Sequence, residues 1–265
     1  MNILVCVKQV PDTTEIKIDP VTNTLIRAGV PSIVNTFDTY ALEVAARLKD
    51  ASGGETTVLS MGPPQAEKAL RECLSVGADK AYLLSDRAFG GSDTLATSYI
   101  ISRAIKAIEE MDGKFDVIFC GKQAIDGDTA QVGPEIAEHL GYPQVTYSIE
   151  VLKKDSELAV KRETEEGFEV LAVKTPCVIT VTKTSFDPRY ASIKSRVFAS
   201  RANIPTLSAS DISLDISRAG LNGSPTKVKK TFTPPAKQNG VIIREVTKEA
   251  TAKKLLEALF APATA

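Results

Sequence analysis

Short apolar runs alternate with longer amphipathic ones through the first half of the chain. Ile3–Val7 is almost unbroken in apolar residues, as in a strand buried on both faces. Thr39–Lys49 sets Leu42, Ala45, Ala46 and Leu48 on one helical stripe. Thr56–Ser60 reads as a strand. Gln65–Val76 reads as a helix that Pro63 and Pro64 introduce and Gly77 stops. Lys80–Leu84 is the next strand, and Asp93–Met111 a helix capped by Ser92 or Asp93. Strand Val117–Cys120 then leads into a helix carrying Val132, Ile136 and Leu140 on one side. This repeating order predicts an α/β fold, a Rossmann-like parallel sheet with helices on both faces.

The pattern changes after Gly141-Tyr-Pro143. Val145–Leu152, Leu158–Glu163 and Phe168–Val173 alternate apolar and polar residues, which predicts a small antiparallel addition. Val178–Val181 reads as a strand returning to the main sheet. Beyond Asp187-Pro-Arg-Tyr190 the chain turns irregular and locally basic, with Lys194, Arg196, Arg201, Lys227, Lys229 and Lys230, and with proline at 205, 225, 234 and 235. Such a composition does not build a core of its own. Lys248–Phe260 then places Ala252, Leu255, Leu256 and Leu259 on one helical face. That face needs a surface to cover it, either its own domain or a partner subunit. The division expected is a nucleotide-binding domain over 1–190, and a docking loop with an extended C-terminal arm over 191–265.

Composition narrows the chemistry. The 265 residues carry a formal net charge of −1 with 43% hydrophobic and 25% charged residues, an ordinary globular balance. The near-neutral charge argues against nucleic acid as a partner. No apolar run approaches a membrane span, and Met1–Lys8 reads as a strand, not a leader, so the location expected is cytoplasmic. Cys6, Cys73, Cys120 and Cys177 are far apart, with no metal-ligand spacing, and read as small buried hydrophobes. The single histidine, His139, falls in the last turn of its helix, where a cation suits the helix dipole. With one histidine, any reaction here is expected to be carried by a cofactor.

The stretch 115–134 is the most informative. Strand Val117–Cys120 turns at Gly121 and passes through a polar loop with Gly127 before the helix near Gly133. Glycines let the backbone approach a ligand, and a helix N-terminus favours phosphate. The segment therefore reads either as a nucleotide cradle or as an ordinary strand–loop–helix connection capped by Asp128 or Thr129. The GxGxxG fingerprint is absent after the first strand, which disfavours a standard NAD(P) dehydrogenase.

The residues also carry a family resemblance. Val160–Thr180 fits the β-subunit signature of electron-transfer flavoproteins throughout, with its Lys161-Arg162 pair, its acidic cluster, and Pro176 before an apolar pair. Gly121-Lys-Gln-Ala-Ile-Asp126 is similar to that family's nucleotide loop, and Val7-Lys8 and Asp187–Ala191 fit as well. The resemblance implies a fold related to adenine-nucleotide-binding hydrolases. It also implies a larger α subunit holding FAD, around which the C-terminal arm wraps and against which the terminal helix packs.

The family divides by what the β subunit holds: structural AMP, or a second FAD that accepts hydride from NADH and bifurcates electrons. Val10-Pro-Asp-Thr13, Gly91-Ser-Asp-Thr94 and Asp126–Pro134 resemble the bifurcating type. There one electron passes through the α-subunit FAD to an acyl-CoA dehydrogenase and the other to ferredoxin or flavodoxin. The alternatives are an AMP-holding electron-transfer subunit and a stand-alone ATP- or AMP-binding regulatory module.

For this chain the resemblance implies that Cys6 lies beside the adenine or ribose. Asn35, Phe37 and Asp38 contact the nucleotide, and Ser60, Met61 and Gly62 border it. Gly121, Gln123 and the run Gly127, Asp128, Thr129, Ala130, Gln131, Val132 and Gly133 hold the diphosphate through backbone N–H groups and the Thr129 hydroxyl. Asp126 and Asp128 cap turns or accept ribose hydroxyls. Lys8 either offsets phosphate charge or is a solvated strand-end lysine, and Thr94 either touches the flavin or caps its helix. Arg189, Tyr190 and Ile193 belong to the loop that docks on the dehydrogenase, with Ile193 as the apolar anchor.

Overall fold

A computed structural model of the chain describes residues 1–12, 31–229 and 240–260; Thr13, Lys230, Pro234 and Pro235 lie outside them. Met1–Lys229 forms one compact unit, and Lys230–Ala265 a second. The main unit is built on a nine-stranded sheet. Its strands are β1 (Asn2–Cys6), β4 (Glu55–Met61), β5 (Lys80–Leu84), β6 (Val117–Gly121), β7 (Gln144–Lys154), β8 (Glu157–Thr164), β9 (Gly167–Lys174), β10 (Cys177–Val181) and β11 (Thr206–Leu207). A separate pair, β2 (Gln9–Pro11) and β3 (Ser32–Val34), runs antiparallel.

The spatial order is β11-β5-β4-β1-β6-β10-β7-β8-β9. All pairings are parallel as far as β7, and β8 and β9 then add an antiparallel ribbon. From β1 the chain winds outward to β4 and β5, then crosses to β6 on the other side of β1. The sheet therefore reverses direction between β1 and β6. In open α/β sheets a crevice forms outside the carboxyl ends of the strands at such a point.

Strand periodicity sorts the core into two layers. Ile3, Val5, Val117, Phe119, Ile179 and Val181 face α1 (Thr36–Ser52) and α2 (Glu67–Ser75). Leu4, Cys6, Ile118, Cys120 and Val178 face α3 (Thr94–Asp112) and α4 (Val132–Leu140). Successive strand side chains point to opposite faces, so covering both faces requires continuous apolar runs. The ribbon buries Val151, Leu158, Val160 and Val173 in the first layer.

The structure departs from the sequence reading in four places. Gln65–Val76 divides into a 3-10 turn, Pro64–Ala66, and the shorter α2. The pair β2–β3 was not expected. The segment expected to be irregular contains α5 (Ile193–Arg201), β11 on the sheet edge, and the short α6 (Gly220–Gly223). Arg71 on α2 holds the end of α5, its Nη1 donating to the carbonyls of Ala199 and Ala202. The first compact unit consequently closes at Lys229, not at 190. Residues 191–229 have too few apolar positions to form a core, but they share one already made. The last helix, α7 (Lys248–Leu259), has Thr247 as its N-cap, with Oγ1 accepting from Ala250 N.

Phe119 on β6 is fully buried at the centre of the first layer. Phe119→Ala is expected to cost about 3–5 kcal/mol in urea unfolding. A loss below about 1 kcal/mol would contradict its place in the core.

Candidate functional site

The carboxyl ends of β1, β4 and β6 and the N-terminus of α1 meet at the reversal point. Strand ends leave backbone N–H groups without ladder partners, and burial obliges each to find an acceptor. Asp38, in the first turn of α1, supplies one for both strands. Its Oδ2 accepts from Lys8 N at 2.7 Å, just beyond β1, and its Oδ1 accepts from Gly121 N at 3.2 Å, at the end of β6. Asn35 Nδ2 donates to the same Oδ1 at 2.9 Å. Burial pushes the Asp38 carboxyl up to about 7, against the pull of hydrogen bonds from Asn35, Lys8 and Gly121.

Asn35 ties down the loop that follows. Its Nδ2 donates to the Gln123 carbonyl at 2.8 Å and its Oδ1 accepts from Ile125 N at 3.0 Å. Asn35 and Asp38 are both buried, and their polar atoms are engaged inside the protein. They shape the loop from beneath, while Phe37 between them is half-buried. Gly121 has a related role. A Cβ there would collide with the Asp38 carboxylate and the backbone of residues 37 and 38. Its N–H is already given to Asp38, so Gly121 contributes close approach.

The loop itself is folded by short polar contacts. Gly127 N and Asp128 N both donate to the Ala124 carbonyl, at 3.2 and 2.9 Å. Asp128 and Ala130 adopt left-handed φ angles of 53° and 54°. Aspartate tolerates this conformation better than alanine does, and non-glycine residues held there concentrate at functional sites. Gln123 Nε2 donates to Asp128 Oδ1 at 2.7 Å, and Lys8 Nζ pairs with Asp126 Oδ1 at 2.6 Å. Both acidic side chains thus brace the loop. Gly127 and Thr129 are exposed, and a Cβ on Gly127 would meet nothing within 4 Å.

Helix α4 begins at Val132, with Gln131 before it, so neither Asp128 nor Thr129 is its cap. Gly133 is buried against β10, where a Cβ would collide with Thr180. The free first-turn amides are those of Val132 and Gly133, because Pro134 has no N–H. Asp93 caps α3, accepting from Ala96 N at 3.0 Å, which removes the capping role from Thr94. The Thr94 hydroxyl turns instead to α4, lying 3.2 Å from Glu135 Oε1 and 3.3 Å from Gln131 Oε1. Gln131 and Thr94 therefore stand together at the mouth of the crevice. Glu135 was not anticipated from sequence.

On the β4 side, Cys6 is buried beside Cys120 in register, and Ser60 is buried near the strand end. The Ser60 Oγ has no hydrogen-bond partner among the described residues. Met61 and Gly62 are half-buried beyond it. The crevice thus combines a buried hydroxyl without a partner, free helix-start amides, and a glycine with open space beside it. These features suit a nucleotide. His139 lies at the far end of α4, its ring centroid 5.8 Å from that of Tyr99, and burial and Arg218 lower its pKa.

The segment after Asp187 is anchored by Arg189, whose Nε and Nη2 pair with Glu43 Oε2 at 2.8 Å and Asp50 Oδ2 at 2.9 Å on α1. Burial would raise the Glu43 carboxyl, but hydrogen bonds from Arg189 and Arg47 outweigh it and hold it below its usual range. Arg189 is thus an anchor, and Tyr190 and Ile193 beyond it are 98% and 86% exposed. Glu43 shares one side of α1 with Arg47 and Asp50, and the sequence reading did not single it out. Ser192 and Ser195 form a reciprocal cap that starts α5 at Ile193.

Two expectations follow. Gly121→Ala is expected to cost about 1–3 kcal/mol in urea unfolding, whereas Gly127→Ala should stay within about 0.5 kcal/mol. Equal effects would contradict this description of the loop. Arg189→Ala is expected to cost about 1–3 kcal/mol at neutral pH, because Arg47 alone remains beside Glu43. A carboxyl with a lowered folded pKa stabilises above its unfolded value and loses that contribution as pH falls through the folded one. The gap between wild type and Arg189→Ala should therefore narrow as urea unfolding is repeated from pH 6 toward pH 3. A gap independent of pH would exclude the ion pair as its source.

Residues 22–212 match the family model described as "Electron transfer flavoprotein domain". The chain is 51% identical to "Electron transfer flavoprotein subunit beta" of Megasphaera elsdenii, over 98% of both chains. It is 50% identical to "Caffeyl-CoA reductase-Etf complex subunit CarD" of Acetobacterium woodii, again over 98% of both. It is 46% identical to "Protein FixA" of Azorhizobium caulinodans, over 98% of this chain and 94% of that one. Among the described residues no helix is long and apolar enough to cross a membrane. A nucleotide-suited crevice at the reversal of a parallel sheet, the family match, and the identity to named β subunits over nearly the whole chain agree: this protein belongs to the electron-transfer flavoprotein family, as a β subunit whose partner is an α subunit.

Proposed function

We propose that this β subunit holds FAD at the β1–β6 crevice, takes hydride from NADH, and belongs to a bifurcating complex. One electron goes to a low-potential acceptor, ferredoxin or flavodoxin. The other goes through the α-subunit FAD to an acyl-CoA dehydrogenase. The observation that supports this reading is Gly127, which carries no side chain and where an added Cβ would meet nothing within 4 Å. A mononucleotide needs only the cradle, whereas a dinucleotide needs a way past it. A relative whose name places it in a caffeyl-CoA reductase complex supports a partner acting on a CoA thioester.

A flavin bound here supplies a two-electron acceptor for hydride that can pass electrons on one at a time. The residues of this chain bind and orient it. The Val132 and Gly133 amides and the Thr129 hydroxyl would hold the diphosphate at the positive end of α4. Cys6 and Ser60 would border the nucleoside from the ends of β1 and β4. Thr94, half-buried at the start of α3, would offer a hydroxyl and a helix dipole to a bound flavin. Lys8 neutralises Asp126, so the loop does not repel the phosphates. No side chain has to move a proton during hydride transfer.

Tyr190 and Ile193 form the docking tip for the dehydrogenase, presented from a segment that Arg189 holds in place. An exposed aromatic and an exposed aliphatic side chain on an anchored loop make a suitable hot spot. Leu255, Leu256 and Leu259 on α7 form the apolar face that packs on the α subunit.

The reading is tested by co-purifying the chain with its α subunit and counting released cofactors. Two FAD and no AMP per heterodimer, with flavin reduction by NADH, is the expected result. One FAD and one AMP would overturn it and make this chain the structural partner in single-flavin transfer.

A further inference from the structure

The carboxylate beneath the crevice has no ligand-facing atom assigned to it, yet backbone amides from both sides of the reversal point converge on it. Lys8 N and Gly121 N come from the two strands that flank the crevice, and both end on Asp38. Asn35 Nδ2 adds a third donor and links the same group to the loop through Gln123 and Ile125. Gly121 exists as glycine because a Cβ would occupy the space of this carboxylate. We propose that Asp38 is a proton-linked positioning residue: by accepting the amides of Lys8 and Gly121 together it fixes the two chain segments where they leave the β1–β6 ladder, in the arrangement that grips the nucleotide, and it releases that grip when protonated. The inference rests on the crevice being the nucleotide site and applies to FAD and AMP alike.

The chemistry follows from counting donors. An ionised carboxylate has lone pairs for all three N–H groups. A protonated one carries a donor of its own in a place where only donors face it. One amide must then turn away, and the two candidates at the strand ends are those that set the crevice. The groups facing Asp38 do not take over its titration. Lys8 lies beyond β1 with its ammonium paired to Asp126. The Cys120 thiol on β6 and the Cys73 thiol on α2 are both raised by their surroundings and remain neutral. Burial sets the carboxyl at about 7, so the change falls near neutral pH.

Two pH effects of opposite sign result. A carboxyl raised in the folded state stabilises the fold below its unfolded value, and that contribution is lost as pH rises through about 7. Nucleotide binding needs the ionised form and strengthens over the same rise. A residue with only a structural role would move both in the same direction.

The test uses the complete α–β complex, with FAD and AMP as probes, and equilibrium retention of each on this subunit measured from pH 8 to pH 6. Wild type is expected to lose affinity by roughly tenfold as the ionised fraction falls across that range. Asp38→Asn is expected to bind about tenfold or more weakly at pH 8 and to show a flat profile, having lost one charged acceptor. An Asp38→Asn complex that keeps both the affinity and the pH profile would overturn the proposal. Amide hydrogen exchange at Lys8 and Gly121 in wild type decides the matter if the variant does not assemble. Protection corrected for the intrinsic rate should fall between pH 8 and pH 6, and unchanged protection would refute the latch. If neither probe binds, the nucleotide reading fails, and the exchange measurement still judges the latch separately.

Discussion

A parallel sheet that reverses direction must end two neighbouring strands beside a gap, and their terminal amides need acceptors. In this protein one buried carboxylate, Asp38, meets that need for both β1 and β6. A buried carboxylate is costly, and its raised pKa records the cost. The arrangement is tolerable because the acceptor sits on a rigid helix start and faces three donors. The position of α1, the approach of Gly121 and the path of the loop to α4 all depend on this contact.

The loop above it uses the same economy. A segment that lies near phosphate in the proposed function carries two aspartates, which would repel an anion if they were free. Lys8 and Gln123 turn both into braces. The left-handed conformations of Asp128 and Ala130 then shape the run into α4, while Gly127 leaves one side open. Charge, backbone strain and an omitted side chain thus act together on fewer than ten residues. None of them alone marks a nucleotide site.

Electron transfer between proteins needs a held cofactor and a presented surface, and the proposed function assigns the two to separate parts of this unit. Arg189 fastens the segment after Asp187 to α1 through Glu43 and Asp50, and the exposed Tyr190 and Ile193 follow at once. The anchor and the cradle share α1: Asp38 sits in its first turn and Glu43 little more than one turn later. One helix therefore positions the cradle at its start and the exposed tip along its side. The α subunit completes the assembly.

Local pattern determined much of this architecture. The apolar runs of β1, β4, β5, β6 and β10, the stripes of α1, α3 and α4, and the alternating ribbon β7–β9 were legible because burial of a strand or helix face imposes a period on the sequence. The signature over Val160–Thr180 and the loop at Gly121 placed the chain in its family. Tertiary structure decided what periodicity does not encode. It gave α5 and β11 a core to share, which an irregular, proline-interrupted stretch could not announce. It set Asn35 and Asp38 beneath the loop as its support, because only folding brings Lys8 and Gly121 to one carboxylate. It assigned the α3 cap to Asp93 and freed Thr94 to meet Glu135. It also gave Arg189 its anchoring contacts, because its partners lie more than a hundred residues away on α1. A sequence pattern records which face a residue buries; which distant polar group it meets there is settled only when the chain closes.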